Sequence, residues 1–145
     1  MKILKAERAA VFAKYDGRCA YCGEPLGDRW HVDHFEPVVR KLEWAPGGGV
    51  RTTSECYNPE RHAMENLMPA CAPCNMDKSS LNVETWRRKL EGACGVLRRN
   101  QPTYRHALRF GLVAENEARV IFHYEALNAS LSRGHAEGVD VGLKR

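Results

Sequence analysis

Trp30-His31-Val32-Asp33-His34-Phe35-Glu36-Pro37 (WHVDHFEP) is the stretch on which the reading of this chain turns. From Trp30 to Asp33, bulky and polar side chains alternate with the period of a short strand that buries one face. Pro37 lacks the N–H that a ladder needs, so the strand is expected to close at His34. Its end then carries Asp33 and His34 side by side. A carboxylate is a hard oxygen ligand for a divalent cation, and an imidazole is a proton acceptor that titrates near neutrality.

Two cysteine pairs bracket that strand. Cys19-Ala20-Tyr21-Cys22 precedes it and Cys71-Ala72-Pro73-Cys74 follows. CxxC spacing lets two thiolates share one tetrahedral zinc. The 48 residues between the pairs exceed the ~15–20 of a simple zinc ribbon. A zinc held by Cys19, Cys22, Cys71 and Cys74 therefore clamps the base of an insertion that contains Asp33 and His34. Redox or disulfide use is the competing reading, but a redox pair calls for a thioredoxin-like βαβ pattern, which is absent. Cys94 is expected on the buried face of a helix as a small core residue, and Cys56 has no assigned place. Asn66 and Asn75 add neutral polar groups near the second pair, and the combination points to hydrolysis of a phosphodiester.

Before the first pair, Ile3 to Tyr15 has the apolar spacing of a helix (Leu4, Val11, Phe12, Tyr15), stopped by Asp16-Gly17. Lys5, Arg8 and Lys14 read as its solvated face. From Val38 to Ala63 the sequence reads as irregular, with a loop at Pro46-Gly47-Gly48-Gly49. Asn66 to Ala70 is a second short strand, and Pro73 opens a helix carrying Cys74, Asn75 and Lys78. Asn82 caps a long helix from Val83 to Arg99, with Trp86, Leu90, Cys94 and Leu97 as its apolar stripe. Thr103 to Phe110 is a short helix ended by Gly111, and Val120 to Tyr124 alternates as a strand. From Ala126 to Arg145 the composition is small and polar, which predicts a mobile tail.

A chain of 145 residues with 43% hydrophobic and 28% charged content fits one soluble domain with a modest core. The net charge of +4 permits a polyanion partner. No apolar run approaches the ~20 residues that cross a bilayer. The first residues show no apolar signal region, so a cytoplasmic location is expected.

CAYC, VDHFEP and ENLMPACAPCNMDK, in that order, resemble the HNH endonuclease family with its ββα-metal fold. The likeness is dense from Cys19 to Lys78, a little under half of the chain. The flanks KAERAAVFAKYDGRC, LNVETWRRKLE and RFGLVAENEARVIFHYE also resemble small freestanding nucleases of phages and prophages. The resemblance implies an α+β fold with a ββα-metal core clamped by a four-cysteine zinc site and flanked by helices. It implies one nuclease domain over residues 1–125, with a core at about 19–80, a helical extension at about 82–111 and a strand at about 120–124. It further implies a divalent-metal-dependent DNA endonuclease leaving 5′-phosphates, with Mg²⁺ or Mn²⁺ as catalytic ion beside a structural Zn²⁺. Residue by residue, His34 matches the general base, Asp33 and Asn75 the ligands of the catalytic cation, and Asn66 the middle asparagine that steadies the loop behind His34. Asn75 stands where some relatives carry histidine.

Arg40, Lys41, Lys78, Arg87 and Arg88 are the candidates for gripping DNA phosphates, and His62 for a further polar contact in the site. DNA is the expected partner, with a second copy of the chain or phage packaging proteins as further ones. The alternatives are a zinc-stabilised DNA-binding or packaging-complex module without catalytic activity, and a redox or zinc-buffer protein.

Overall fold

The computed structural model describes residues 3–136. It runs α1 (Lys5–Ala13), β1 (Trp30–His34), β2 (Arg40–Trp44), β3 (Val50–Cys56), β4 (Leu67–Cys71), α2 (Ala72–Lys78), α3 (Val83–Glu91), α4 (Ala93–Asn100), α5 (Pro102–Arg109) and α6 (His123–Ala136). Short 3-10 turns at Pro59–His62 and Met64–Asn66 lead into β4. This is a mixed α+β protein with two two-stranded sheets. The described residues fall into two compact units. The described residues up to Ser80 join those from Ile121 onward, and residues 81–120 form the second unit.

In the first unit, β1 and β4 pair antiparallel, with Trp30 opposite Cys71, Asp33 opposite Met68 and His34 opposite Leu67. The strand expected around WHVDH is present, and the second begins one residue later than expected because Asn66 closes a 3-10 turn. Leu67, Met68, Pro69 and Ala70 are all buried, so β4 lies at the centre of the core. The knuckle that carries Cys19 and Cys22 hangs on it through Ala20 N–H to the Pro69 carbonyl, 2.8 Å.

Helix α1 follows the expected pattern within two residues at each end. Leu4 N–H donates to the Glu7 carboxylate at 2.7 Å, and Val11 is fully buried, which stabilises by about 1.5–3 kcal/mol relative to exposure. Gly17 (φ +70°) ends it, and a Cβ there would fall 2.6 Å from the Phe12 ring, so only glycine fits. Two of its cations are not solvated bystanders. Arg8 lies 3.8 Å over the Trp30 ring and donates to the Trp30 carbonyl at 2.6 Å. Lys14 donates to the carbonyls of Met64 (2.5 Å) and Leu67 (2.8 Å). They pin α1 to both strands of the central pair.

The stretch expected to be irregular holds a hairpin instead. β2 and β3 pair across a turn in which Gly48 and Gly49 take φ +89° and +87°. Lys41–Glu55 (2.9 Å) and Arg51–Glu43 (2.7 Å) bridge the strands. Both faces of this hairpin are largely wet, with Leu42 65% and Trp44 79% exposed. No buried face exists to impose an alternation on its sequence.

The expected strand at 120–124 is also absent. Phe122 is buried, Tyr21 and Ala20 carbonyls accept from His123 and Tyr124 N–H (both 2.9 Å), and α6 starts at His123. Glu125 closes the first turn by accepting from Phe122 N–H at 2.9 Å. Residues 126–136, expected as tail, are helical, while 137–145 lie outside the described residues.

In the second unit, the Asn82 side chain accepts from Thr85 N–H at 2.8 Å and caps α3 as expected. The single long helix does not form. It breaks at Gly92 (φ −80°, ψ −4°) into α3 and α4, at the first of the run's two glycines, the residue type with the least helix propensity in it. α5 starts on Pro102 and stops at Gly111 (φ +68°). Among the described residues, no helix is long and apolar enough to cross a membrane.

Candidate metal centre and catalytic site

Cys71 is the last residue of β4 and Cys74 lies in the first turn of α2, so one strand-to-helix junction presents both thiols. Across from them, the knuckle of Cys19 and Cys22 is tightened by Gly23 N–H to the Cys19 carbonyl at 2.9 Å, with Gly23 at φ +78°. The four sulfurs lie within 4.8 Å of one another. Tetrahedral zinc with bonds of about 2.3 Å sets sulfurs about 3.8 Å apart, and Cys22 Sγ and Cys71 Sγ are 3.8 Å apart. All six cysteines are free thiols. Four thiols so close compete for charge. A hydrogen bond from Cys74 pulls Cys19 down to about 4, the same bond pushes Cys74 up, and burial raises Cys22 to about 11. A dication at the centre removes that conflict, because it favours the thiolate at every corner. The cluster can hold a metal ion such as zinc.

On β1, Asp33 and His34 leave the same strand end for different partners. Asp33 is buried. Its Oδ2 accepts from Tyr21 O–H at 2.5 Å and pairs with the Lys78 ammonium at 2.9 Å. Lys78 is fully buried and also donates to the His34 carbonyl at 2.8 Å. Burial, followed by the Asp33 charge, pushes the Tyr21 hydroxyl far above its ordinary range, so it stays a donor. Asp33 Oδ1 takes no hydrogen bond among the described residues. Asn75 stands one turn before Lys78 on α2 and is half-buried, so the helix that reaches Asp33 and His34 carries Asn75 on nearly the same face.

His34 is half-buried, and its Nε2 lies 2.9 Å from His62 Nδ1. Burial first, and then the neighbouring His62, lower its pKa below the ordinary 6.5. The loop just after it is held by Asn66. The Asn66 Oδ1 accepts from Glu36 N–H (2.8 Å), and its Nδ2 donates to the carbonyls of Glu36 (2.9 Å) and Arg61 (2.7 Å). Phe35 N–H to the Asn66 carbonyl, 2.8 Å, completes the tie. The Asn66 amide thus joins the segments of Glu36 and Arg61 through both of its polar atoms.

The phosphate candidates divide. Lys78 is sequestered in the ion pair with Asp33, and Arg87 is buried against Glu84 (3.0 Å) and the Val120 carbonyl. Neither side chain reaches solvent, so neither is a phosphate grip. Arg40 and Arg88 are exposed, and Lys41 is half-exposed and paired with Glu55. Two residues escaped the sequence reading of the site, and a third has a different place in it. Tyr21 was hidden as the filler of a CxxC, Cys56, left unplaced, lies 3.5 Å from His62 Nε2, and Lys78, expected to grip a phosphate, holds Asp33 instead. No protein-family model matches the chain, and no curated protein matches it either.

Proposed function

We propose that the chain is a divalent-metal-dependent DNA endonuclease of the HNH type, in which β1, β4 and α2 form a ββα-metal core on a structural zinc. The observation that carries this reading is the presentation of His34. It sits at a strand end, beside a carboxylate, behind a loop clamped by Asn66, and opposite the helix of Asn75. That is the arrangement a phosphodiester hydrolase needs, with a fixed base next to hard oxygen donors.

Asp33 Oδ1 and the Asn75 amide oxygen are the donors for Mg²⁺ or Mn²⁺, and two protein oxygens suffice for an ion that keeps most of its waters. What such an ion supplies when bound is Lewis-acid polarisation of the phosphate and stabilisation of the departing 3′-oxygen. His34 takes a proton from water, whose oxygen bonds to phosphorus as the P–O3′ bond breaks. The departing 3′-oxygen takes a proton from solvent and His34 returns its own to solvent, leaving a 5′-phosphate and a 3′-hydroxyl. General-base assistance of this kind contributes ~10²–10⁴-fold. Tyr21 and Lys78 hold the Asp33 carboxylate and the His34 backbone in place.

One observation favours the non-catalytic DNA-binding alternative. The Lys78 ammonium already neutralises Asp33, which weakens its hold on a cation. Incubation of the purified protein with supercoiled plasmid and Mg²⁺ or Mn²⁺ decides between them. Nicked or linear product with 5′-phosphate ends is expected. Plasmid bound but uncut with every divalent ion tested would give the alternative the site.

A further inference from the structure

His62 stands between two partners. Its Nδ1 lies 2.9 Å from His34 Nε2 and its Nε2 lies 3.5 Å from Cys56 Sγ. The two imidazole rings meet edge to face, with centroids 4.9 Å apart and planes at 66°. Because each nitrogen of His62 faces a different residue, the three side chains cannot chelate one metal ion through it. They form a chain of hydrogen bonds. Its outer end opens on a cavity of about 360 Å³ lined by Ser54, Glu55, Cys56, Pro59 and His62.

A neutral imidazole carries one N–H and one lone pair, so the chain has two settings. In one, Cys56 S–H donates to His62 Nε2 and His62 Nδ1–H donates to His34 Nε2. His34 then carries its proton on Nδ1, both of its nitrogens are occupied, and no lone pair is left for water. In the other, His34 Nε2–H donates to His62 Nδ1, and His62 Nε2–H donates to the Cys56 sulfur. His34 Nδ1 is then a bare lone pair, and among the described residues nothing donates to it.

We infer that His62 is a positioning residue which, backed by the Cys56 sulfur, holds His34 as the Nε2–H tautomer and so leaves Nδ1 free to act on water. The geometry allows both settings, and the choice between them rests on the endonuclease reading, since only this one leaves His34 a lone pair for water. The second nitrogen of a working histidine is commonly fixed by a carboxylate or carbonyl acceptor. Here a second imidazole takes that place. The Asp33 carboxylate next door is held by Tyr21 and Lys78 instead, so it is not the acceptor. His62 rides on a 3-10 turn tied down by Arg61 Nη1 to the Pro37 carbonyl (2.6 Å) and by Asn66 to the Arg61 carbonyl (2.7 Å). The turn that carries the acceptor is thus tied to the segments on both sides of the base.

The test is nitrogen-15 NMR of the histidine side chains in the zinc-loaded protein, read beside single-turnover cleavage with Mg²⁺. In the wild type, His34 is expected to show a protonated Nε2 and a bare Nδ1. In His62→Ala the tautomers should mix and the rate constant at saturation fall 10- to 100-fold, with the DNA concentration at half-saturation unchanged. His62→Gln, whose amide oxygen can still accept from Nε2–H, should recover most of the rate. Zinc content is the check on folding in each variant. A wild-type His34 protonated at Nδ1 would overturn the proposal, as would a His62→Ala protein with unaltered tautomer and rate. If the wild type shows the expected tautomer and never cuts DNA, the endonuclease reading fails and the positioning role stands.

Discussion

The two units of this protein carry charge in opposite ways. Residues 81–120 hold eight Lys or Arg against four Asp or Glu, so the whole net charge of +4 resides there and the remaining chain is balanced. In the first unit the decisive charges are buried and paired, as Lys78 is with Asp33. In the second, Arg88, Arg98, Arg99, Arg105, Arg109 and Arg119 are exposed on or near short helices. One region thus fixes a few groups in place, and the other carries an exposed excess of positive charge, a diffuse field of the kind that attracts polyanions without reading their sequence. Changes at the buried groups of the first unit should cost folding or chemistry, and changes at the exposed arginines of the second should cost affinity alone.

The largest effect is expected at the thiols. Cys71→Ser removes one corner of the cluster, and a structural zinc contributes on the order of 10 kcal/mol in small domains. The variant should lose its zinc and its cooperative unfolding transition, read by metal analysis and circular dichroism. A zinc-free variant with the wild-type melting temperature would break the contrast at its base.

Lys78→Met comes next. It leaves Asp33 buried with its Tyr21 bond and no cation, and breaking a buried pair from one side costs about 3–5 kcal/mol. Urea unfolding should show a shift of that size, whereas Arg88→Met on the exposed face of α3 should show almost none. A Lys78→Met protein within about 1 kcal/mol of wild type, a small shift for a core change, would mean that the ion pair does not organise the site.

Much of this was legible in the sequence, and the failures have physical causes. The CxxC pairs, the Trp30–His34 strand and the Asn82 cap are local signals, each written in adjacent residues. The β2–β3 hairpin was not legible because its faces are wet, so charge pairs and a glycine turn hold it where alternation would have been sought. Helix α6 was hidden by its serines, which resemble a polar tail. Two of their hydroxyls return to the helix, Ser130 to the Ala126 carbonyl and Ser132 to the Asn128 carbonyl, both 2.9 Å. In the site, Asp33, His34 and Asn66 stood out by type and spacing. The burial of Lys78 and the approach of His62 to His34 did not, because a fold that joins residues 28 and 44 positions apart decides them.

Within the chemistry, His34→Ala should slow cleavage by at least ~10²-fold while zinc content and DNA affinity stay at wild-type values. The acid side of the wild-type rate profile should also be displaced. Burial and His62 hold the His34 pKa below 6.5, so the neutral base persists on acidification. The limb of kcat/KM should therefore fall below pH 6.5, over a range where zinc content is seen to hold. The same sign applies to stability, which His34 supports fully above its unfolded pKa and ceases to support as pH falls through the folded one. A limb at or above 6.5 would place the titrating group elsewhere.

The smallest effect belongs to the second unit. Arg88→Ala should weaken DNA binding uniformly across sequences and reduce the salt slope by about one, leaving the single-turnover rate of bound DNA untouched. A change in that rate would erase the division between the two regions.

The central claim is that Asp33 and Asn75 serve a labile cation distinct from the thiolate metal. Single-turnover cleavage after chelation with EDTA, too brief to strip the zinc, tests it most directly. Activity should vanish and return with Mg²⁺ or Mn²⁺ in the wild type, and should not return in Asn75→Ala, whose zinc content should equal that of the wild type. Cleavage that survives brief chelation, or an Asn75→Ala protein rescued as fully as the wild type, would contradict the account.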